Sequence, residues 1–500
     1  MRLSFITAVF LSFLAVCGFF LPGFYDRHVR VDWKSCGSVE YRSWFPDRPA
    51  PPRLLCGYVD APLIYGPYEH RRRPKAIAVK LAITKLPATR KRLGSLLSIS
   101  GGPGSPGINV YIDDDGPAKV IAAHYDIISY DARGVGNSVP RISCQPREFS
   151  FSHETWQLPG DRAKSSDGVE LTARKFIDDC IEATGADFLK HAGTHSAVGD
   201  VETLRQAIGE SHLNIIAYSY GTKVAALYAE RYPSKVRAIV LDGVVDLSEN
   251  DATMLLNQQR GFQKSFERFA AYCAKNSACP LGDDVKTAML SYQKLLANLD
   301  EQPIQAPSGR KLGSDEVRDG LMDALLWPEQ WSDVISALAE IKYGRGEKML
   351  LLTVKSEASV DSDALVVINC ADTAWNMEAR GFGWEHAALI DAASPFDNSE
   401  PDDDSICKLW PFPGTDVAHI PVRHKDLPPL LFVAQRHDPT TPHANARKMA
   451  TFFRSALVTR EFDGHTLALS GLDHCVDEAV VAYLLAPLQP RSDTVCKVPE

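Results

Sequence analysis

Apolar and polar positions follow two different rhythms along this 500-residue chain. In the first part, strand-like runs take turns with stretches of helical spacing. Residues 76–86 (A-I-A-V-K-L-A-I-T-K-L) alternate and are partly β-branched, while 95–100 (S-L-L-S-I-S) and 125–131 (Y-D-I-I-S-Y-D) are compact apolar runs; all three predict strands. Residues 198–208 carry apolar side chains at helical spacing, 213–218 (L-N-I-I-A-Y) predict a short strand, 222–232 an alanine-rich helix, and 237–242 (R-A-I-V-L-D) another strand. From 247 to 425 the pattern is mostly helical, with polar and proline-bearing breaks such as 397–405. Strand signals return at 429–435 and 456–462, and a last helix is expected at 477–485. Strands alternating with helices imply an α/β fold, a mainly parallel sheet covered on both faces. Its two parts, 36–246 and 426–500, are separated by a helical insertion over 247–425. In open α/β sheets ligands bind beyond the carboxyl ends of the strands, so an insertion entering there reads as a lid.

The N-terminus departs from both rhythms. Arg2 precedes an almost unbroken apolar run within 1–24, closed near Pro22-Gly23. It reads as a secretory signal, with an uncleaved membrane anchor as the alternative, since the run approaches the ~20 residues of a spanning helix. A lipid on Cys17 fits poorly with Val16 before it. The expected setting is therefore secreted, periplasmic or otherwise extracytoplasmic, with membrane contact only if this segment is retained. Beyond Cys17 ten cysteines remain, an even number that implies disulfides in an exported chain. Sequence alone does not fix their connectivity, but the spacing suggests five neighbouring pairs in chain order, Cys273 with Cys279 foremost. No C-x-x-C or H-E-x-x-H pattern occurs, so neither metal nor other cofactor is expected. A net charge of −9 gives no electrostatic reason to bind nucleic acid. The basic run 70–75 (H-R-R-R-P-K) reads as a solvated turn.

The chemistry-bearing signal is Ala217-Tyr218-Ser219-Tyr220-Gly221, between an expected strand and an expected helix. A sharp turn there lifts a serine hydroxyl above the sheet, and its neighbours must be small because strand and helix approach closely. Ala217 stands where such turns usually carry glycine. A serine hydroxyl is a weak nucleophile and needs a base oriented by an acid, in the chain order Ser, acid, His. Asp438, in Arg436-His437-Asp438-Pro439 just past the strand at 429–435, is the expected acid, with Asp242 and Asp246 as rivals. His465, just past the last expected strand, is the expected base, with His474 as the rival. The N–H of Tyr220 is one expected oxyanion donor, and Gly102 of Gly101-Gly102-Pro103-Gly104 the other.

Together these residues resemble the prolyl-aminopeptidase clan of α/β-hydrolases, and most of all the secreted tripeptidyl aminopeptidases. The resemblance rests on Gly101–Gly104 (G-G-P-G), Asp131-x-Arg133-Gly134-x-Gly136-x-Ser138, Ser219-Tyr220-Gly221-Thr222, Leu241-Asp242-Gly243-Val244, His437-Asp438-Pro439, Gly464-His465-Thr466, Cys475-Val476-Asp477 and Cys496. It covers about 36–496 and is weakest in the insertion. It implies the α/β-hydrolase fold, Ser219, Asp438 and His465 as a catalytic triad, paired cysteines, and an aminopeptidase acting on peptides with a free N-terminus. An esterase on the same machinery is the alternative, because fold does not fix function; a non-catalytic binding protein would not need the triad. An aminopeptidase must hold a charged α-amino group, and a desolvated ammonium needs a carboxylate partner. Asp372, beside Cys370, and Glu385, beside Trp384, are the expected acids from the insertion.

Overall fold

The computed structural model describes residues 30–497 other than 47–48, 66–78, 109–115, 117, 145–165, 276–278, 358–359, 374–405 and 416–417. The apolar N-terminal run, the basic run 70–75 and Glu385 lie outside the described residues. The first part contains β1 (Lys34–Ser35), β2 (Leu55–Ala61), β3 (Val79–Leu86), β4 (Gly94–Ile99), α1 (Ala118–His124) and β5 (Tyr125–Tyr130). There follow α2 (Ser166–Thr184), α3 (Ala186–Leu189), α4 (Thr194–Ala207), β6 (Leu213–Tyr218), α5 (Tyr220–Arg231) and β7 (Val236–Asp242). The helical stretch holds α6 (Asp251–Ala274), α7 (Val285–Glu301), the hairpin β8 (Ile304–Gln305) and β9 (Lys311–Leu312), α8 (Ser314–Leu326), α9 (Trp331–Ile341), α10 (Glu347–Glu357), α11 (Ser362–Asp372) and α12 (Ile406–Leu409). The chain ends with β10 (Leu431–His437), α13 (His443–Phe453), β11 (Ala456–Asp463), α14 (His474–Leu485) and β12 (Thr494–Cys496).

Among the described residues ten strands form one sheet in the order β1-β2-β3-β5-β4-β6-β7-β10-β11-β12. Pairing is parallel from β5 to β12 and antiparallel from β1 to β5. The central β6 is buried along Leu213–Ala217, as a continuous apolar run covered on both faces must be. One face packs Val201 and Leu204 of α4, Val224 and Tyr228 of α5 and Met449 of α13. The other packs Ile121 of α1 and Val476, Val480 and Tyr483 of α14. The last helix starts at His474, three residues before the sequence-based start, because the Asp473 carboxylate accepts the N–H of Val476 at 3.1 Å and caps it.

The expected insertion divides into two packing regimes. Helices α6–α10 enclose a core of their own around Phe266, Phe269, Tyr292, Leu321 and Val334. Helix α11 instead buries Ala364, Val367 and Ile368 in the core of the sheet, joined by Trp410 just past α12. Residues 364, 367, 368 and 371 make one buried helical face, and the first three join the core shared by the sheet and its covering helices rather than that of α6–α10. The five neighbouring cysteine pairs are all formed: Cys36–Cys56, Cys144–Cys180, Cys273–Cys279, Cys370–Cys407 and Cys475–Cys496. Among the described residues no helix is long and apolar enough to cross a membrane.

Candidate active site

Three loops at the carboxyl edge of the sheet bring the sequence-selected residues into one region. The first is the turn from β6 into α5. Ser219 sits there at φ 53°, ψ −126°, a backbone region that costs a non-glycine residue about 1–3 kcal/mol. Its N–H donates to the Asp242 carbonyl at 2.9 Å, and its carbonyl accepts from the N–H of Thr222 at 2.8 Å and the Thr222 hydroxyl at 2.6 Å. A Cβ on Gly221 would lie 2.5 Å from the Ile99 carbonyl oxygen, so only glycine lets α5 start this close to β4. Ala217, the departure from the usual pattern, is accommodated in the buried end of β6.

The second loop follows β4. A Cβ on Gly101 would stand 2.8 Å from the Ser219 Cβ, which places the backbone of this loop directly against the serine. Gly102 has φ +100° and precedes a cis peptide to Pro103. Asp131 organises the loop from beneath: its carboxylate accepts the N–H groups of Gly107 (2.8 Å), Ile108 (3.0 Å) and Asn137 (2.7 Å). The rest of that motif is framework. Arg133 is buried and paired with Asp200, and the Ser138 hydroxyl donates to the Asp131 carbonyl. Helix α11 backs the same loop, with the Asp361 N–H donating to the Gly104 carbonyl at 3.1 Å.

The third group joins the ends of β10 and β11. The His465 Nδ1 lies 2.8 Å from Asp438 Oδ2, and both residues are buried. Asp438 is held by the N–H groups of Thr440 (3.0 Å) and Thr441 (2.9 Å) and by the Thr441 hydroxyl (2.8 Å), which also lies 3.2 Å from the His465 ring. Burial opposes a charge on His465, but the carboxylates of Asp438 and Asp242 outweigh it and raise its pKa above the ordinary 6.5. The ring rests on the backbone of Gly243, where a Cβ would come within 2.8 Å of its Cε1. Gly243 directly follows the residue whose carbonyl holds the Ser219 N–H, so serine and histidine flank one short piece of chain.

The rivals are placed elsewhere. Asp242 turns its carboxylate to the N–H groups of Leu467 (2.6 Å) and Ala468 (2.7 Å), and burial pushes its pKa up to about 6. Asp246 pairs with Lys448 at 2.7 Å. His474 is exposed at the start of α14, 3.4 Å from Glu478. Asp372 is buried at the end of α11 and accepts from the Thr194 N–H (2.6 Å), the Thr194 hydroxyl and Lys223 Nζ (3.2 Å), so both oxygens have partners within the protein. It stands behind Tyr220, whose hydroxyl lies 2.6 Å from the Thr194 hydroxyl. Sequence reasoning did not find Thr441, Thr194 or Lys223: Thr194 and Lys223 meet Asp372 from far away in the chain, whereas Thr441 stands only three residues past Asp438, in an Asp-Pro-Thr-Thr turn whose spacing could have announced it.

This arrangement can abstract a serine proton, orient the base, and present backbone N–H groups to a developing oxyanion. The chain matches the family model of the alpha/beta hydrolase fold over residues 94–471. It is 40% identical to the protein named "Putative hydrolase YuaR" of Escherichia coli K12, over 92% of this chain and 91% of that protein. The serine protease Hip1 of Mycobacterium tuberculosis is 31% identical over 93% and 91%. Two more distant relatives carry different names: carboxylesterase B of Mycobacterium tuberculosis, 29% identical over 93% and 89%, and tripeptidyl aminopeptidase of Streptomyces lividans, 27% identical over 93% and 86%. Fold, site geometry and relatives agree that the chain belongs to the α/β-hydrolase family and is a serine hydrolase of that fold.

Proposed function

We propose that this serine hydrolase is an exported aminopeptidase that releases short peptides or single residues from free N-termini. The observation that carries the hydrolytic part is the buried His465–Asp438 pair beside the strained Ser219 turn. Ser219 Oγ attacks the scissile carbonyl carbon while its proton passes to His465 Nε2, the ring nitrogen that Asp438 leaves open. The carbonyl oxygen becomes an oxyanion, met by the N–H groups of Tyr220 and Gly102. The C–N bond then breaks, the leaving amine takes the proton from His465, and an acyl-enzyme remains. Water, deprotonated by the same histidine, completes hydrolysis. No step calls for a metal or other cofactor.

The aminopeptidase part rests on the sequence resemblance and on the Streptomyces relative's name. Asp372 and Glu385 are the acids offered to the substrate ammonium, and the engagement of Asp372 by Thr194 and Lys223 favours Glu385. Export is supported by the five disulfides, which an oxidising compartment maintains. The test is a panel of peptide anilides with free amines, their N-acetylated counterparts, and simple esters. Free-amine anilides should be cleaved far faster than acetylated ones. Equal rates on both, with faster ester turnover, make the protein a carboxylic-ester hydrolase instead.

A further inference from the structure

The helical body α6–α10 touches the base and acid loops at separate points. A Cβ on Gly261 of α6 would fall 2.1 Å from the Pro439 carbonyl oxygen, so the helix backbone lies directly on the loop that carries Asp438. The carbonyl of Leu326, the last residue of α8, accepts the His465 N–H at 3.0 Å. Arg268 lies seven positions beyond Gly261 on α6, on the same helical face. Its Nε and Nη2 donate to the two carboxylate oxygens of Asp463, Nη2 at 2.7 Å from Oδ2. Asp463 ends β11, two residues before His465. One face of α6 therefore spans from the acid's loop to the base's loop.

We propose that Arg268 is a positioning residue for His465: through Asp463 it fixes the end of β11, two residues before the base. This rests on His465 being the base. The Arg268 side chain is 43% exposed, but that of Asp463 only 5%, so this is not an ordinary surface pair of negligible worth. A bidentate guanidinium fixes the carboxylate plane as well as its distance. Gly464 then has little room to compensate for a shift: at φ +119°, a Cβ there would meet Gln435, Pro328 and the Leu326 carbonyl within 3.3 Å. The charges that His465 itself faces are Asp438 and Asp242, and it also contacts the Thr441 hydroxyl. Around the Arg268–Asp463 pair stand His437, Arg436 and Glu461, the last two paired with each other. Arg268 and Asp463 act in opposite senses on His437 and are not among the charges that reach His465, so what the pair lends the base is position: it holds His465 against Asp438, whose carboxylate raises the His465 pKa.

The experiment follows fluorophosphonate labelling of Ser219 in the full-length protein, which does not depend on knowing the natural substrate. Rate constants are measured between about pH 5 and 9 for wild type, Arg268→Met, Asp463→Asn and the double variant, each checked for a cooperative melt. Arg268→Met should label at least about tenfold more slowly, with its midpoint moved down, because a base that drifts from Asp438 loses the carboxylate that raises its pKa. Asp463→Asn should be slow with its midpoint moved the same way, and the double variant should be no slower than the slower single variant. Arg268→Lys can still hold one carboxylate oxygen, so it should recover part of the rate and of the midpoint; it serves if Arg268→Met does not fold. Arg268→Met within twofold of wild type, or slow with an unmoved midpoint, overturns the proposal. Failure of wild type to label at Ser219 would instead bring down the catalytic assignment itself.

Discussion

Asp438→Asn removes one charge and changes almost no volume, so it isolates what the acid does. In the native site Asp438 Oδ1 accepts two backbone N–H groups, and Oδ2 accepts the Thr441 hydroxyl and His465 Nδ1–H. An asparagine can keep its oxygen on the Thr440 and Thr441 amides. Its NH₂ then points at His465 Nδ1, which must become an acceptor. The proton moves to Nε2, the nitrogen that has to accept from Ser219. The wrong tautomer costs such a triad about 10⁴-fold in rate, or about 5.5 kcal/mol of transition-state stabilisation. The pH profile carries a second signature. Desolvation lowers the His465 pKa, and the Asp438 carboxylate is foremost among the influences that raise it above 6.5. The acidic limb of kcat/KM in the wild type should therefore have its midpoint above 6.5, activity rising as the imidazolium loses its proton. In Asp438→Asn burial dominates, and the midpoint should move down. The assay is kcat/KM against pH on one anilide or ester, with fluorophosphonate labelling of Ser219 in parallel. A variant within tenfold of wild type at its own optimum, or one whose limb does not move, would refute both the tautomer argument and the choice of acid.

Ser219→Ala should lose at least about 10⁴-fold in turnover while melting like the wild type, and a tenth of the activity remaining would place the nucleophile elsewhere. His465→Ala should be nearly inactive, whereas His474→Ala, exposed and paired only with Glu478, should stay within about twofold in kcat/KM. Asp372→Asn withdraws a buried carboxylate from Lys223 and Thr194, so denaturant melts should show a loss of about 1–3 kcal/mol, and any preference for free-amine substrates should survive; loss of that preference would return the amine-binding role to Asp372. Serine pairs in place of single disulfides should rank by loop length, Cys370–Cys407 (separation 37) costing about 4 kcal/mol and Cys273–Cys279 (separation 6) about 2 kcal/mol; an inverted order would mean that native-state contacts outweigh chain entropy.

What the sequence made legible is what local pattern encodes. Strands β4, β5, β6, β7, β10 and β11 are apolar or alternating runs, and the residues just past β6, β10 and β11 are Ser219, Asp438 and His465. Reading where those strands stop was enough to select them. Strand β2 was not legible: it carries Gly57 as its third residue, where a Cβ would strike Val31 at 2.6 Å. Strand β12 has three residues, too few to show a pattern; it pairs with β11, and Cys496 ties it to helix α14 through Cys475. Helix α11 shows an apolar face in the sequence, but a face does not say which core will cover it. Asp372 is the instructive case. It lies two residues past Cys370, and the Cys370–Cys407 disulfide is formed. Its direction was set by Thr194, 178 positions away, and nothing near either residue records that meeting.

The same limit applies to Asp242, which matched a rival for the acid on every local criterion. It ends a parallel strand at the carboxyl edge, between the strand of the nucleophile and the strand of the acid. Yet its carbonyl holds the Ser219 N–H, and its carboxylate holds Leu467 and Ala468 just beyond His465. It therefore ties the nucleophile's turn to the loop that follows the base, without touching His465 Nδ1. Burial pushes its pKa up to about 6, the direction that disfavours its charged form, and the two N–H donors moderate that rise. A carboxylate kept in so unfavourable a place fits a link between two loops that must keep a fixed separation for proton transfer. Backbone amides separate the two roles: those of Thr440 and Thr441 hold Asp438 beside the imidazole, while those of Leu467 and Ala468 take the Asp242 carboxylate past it.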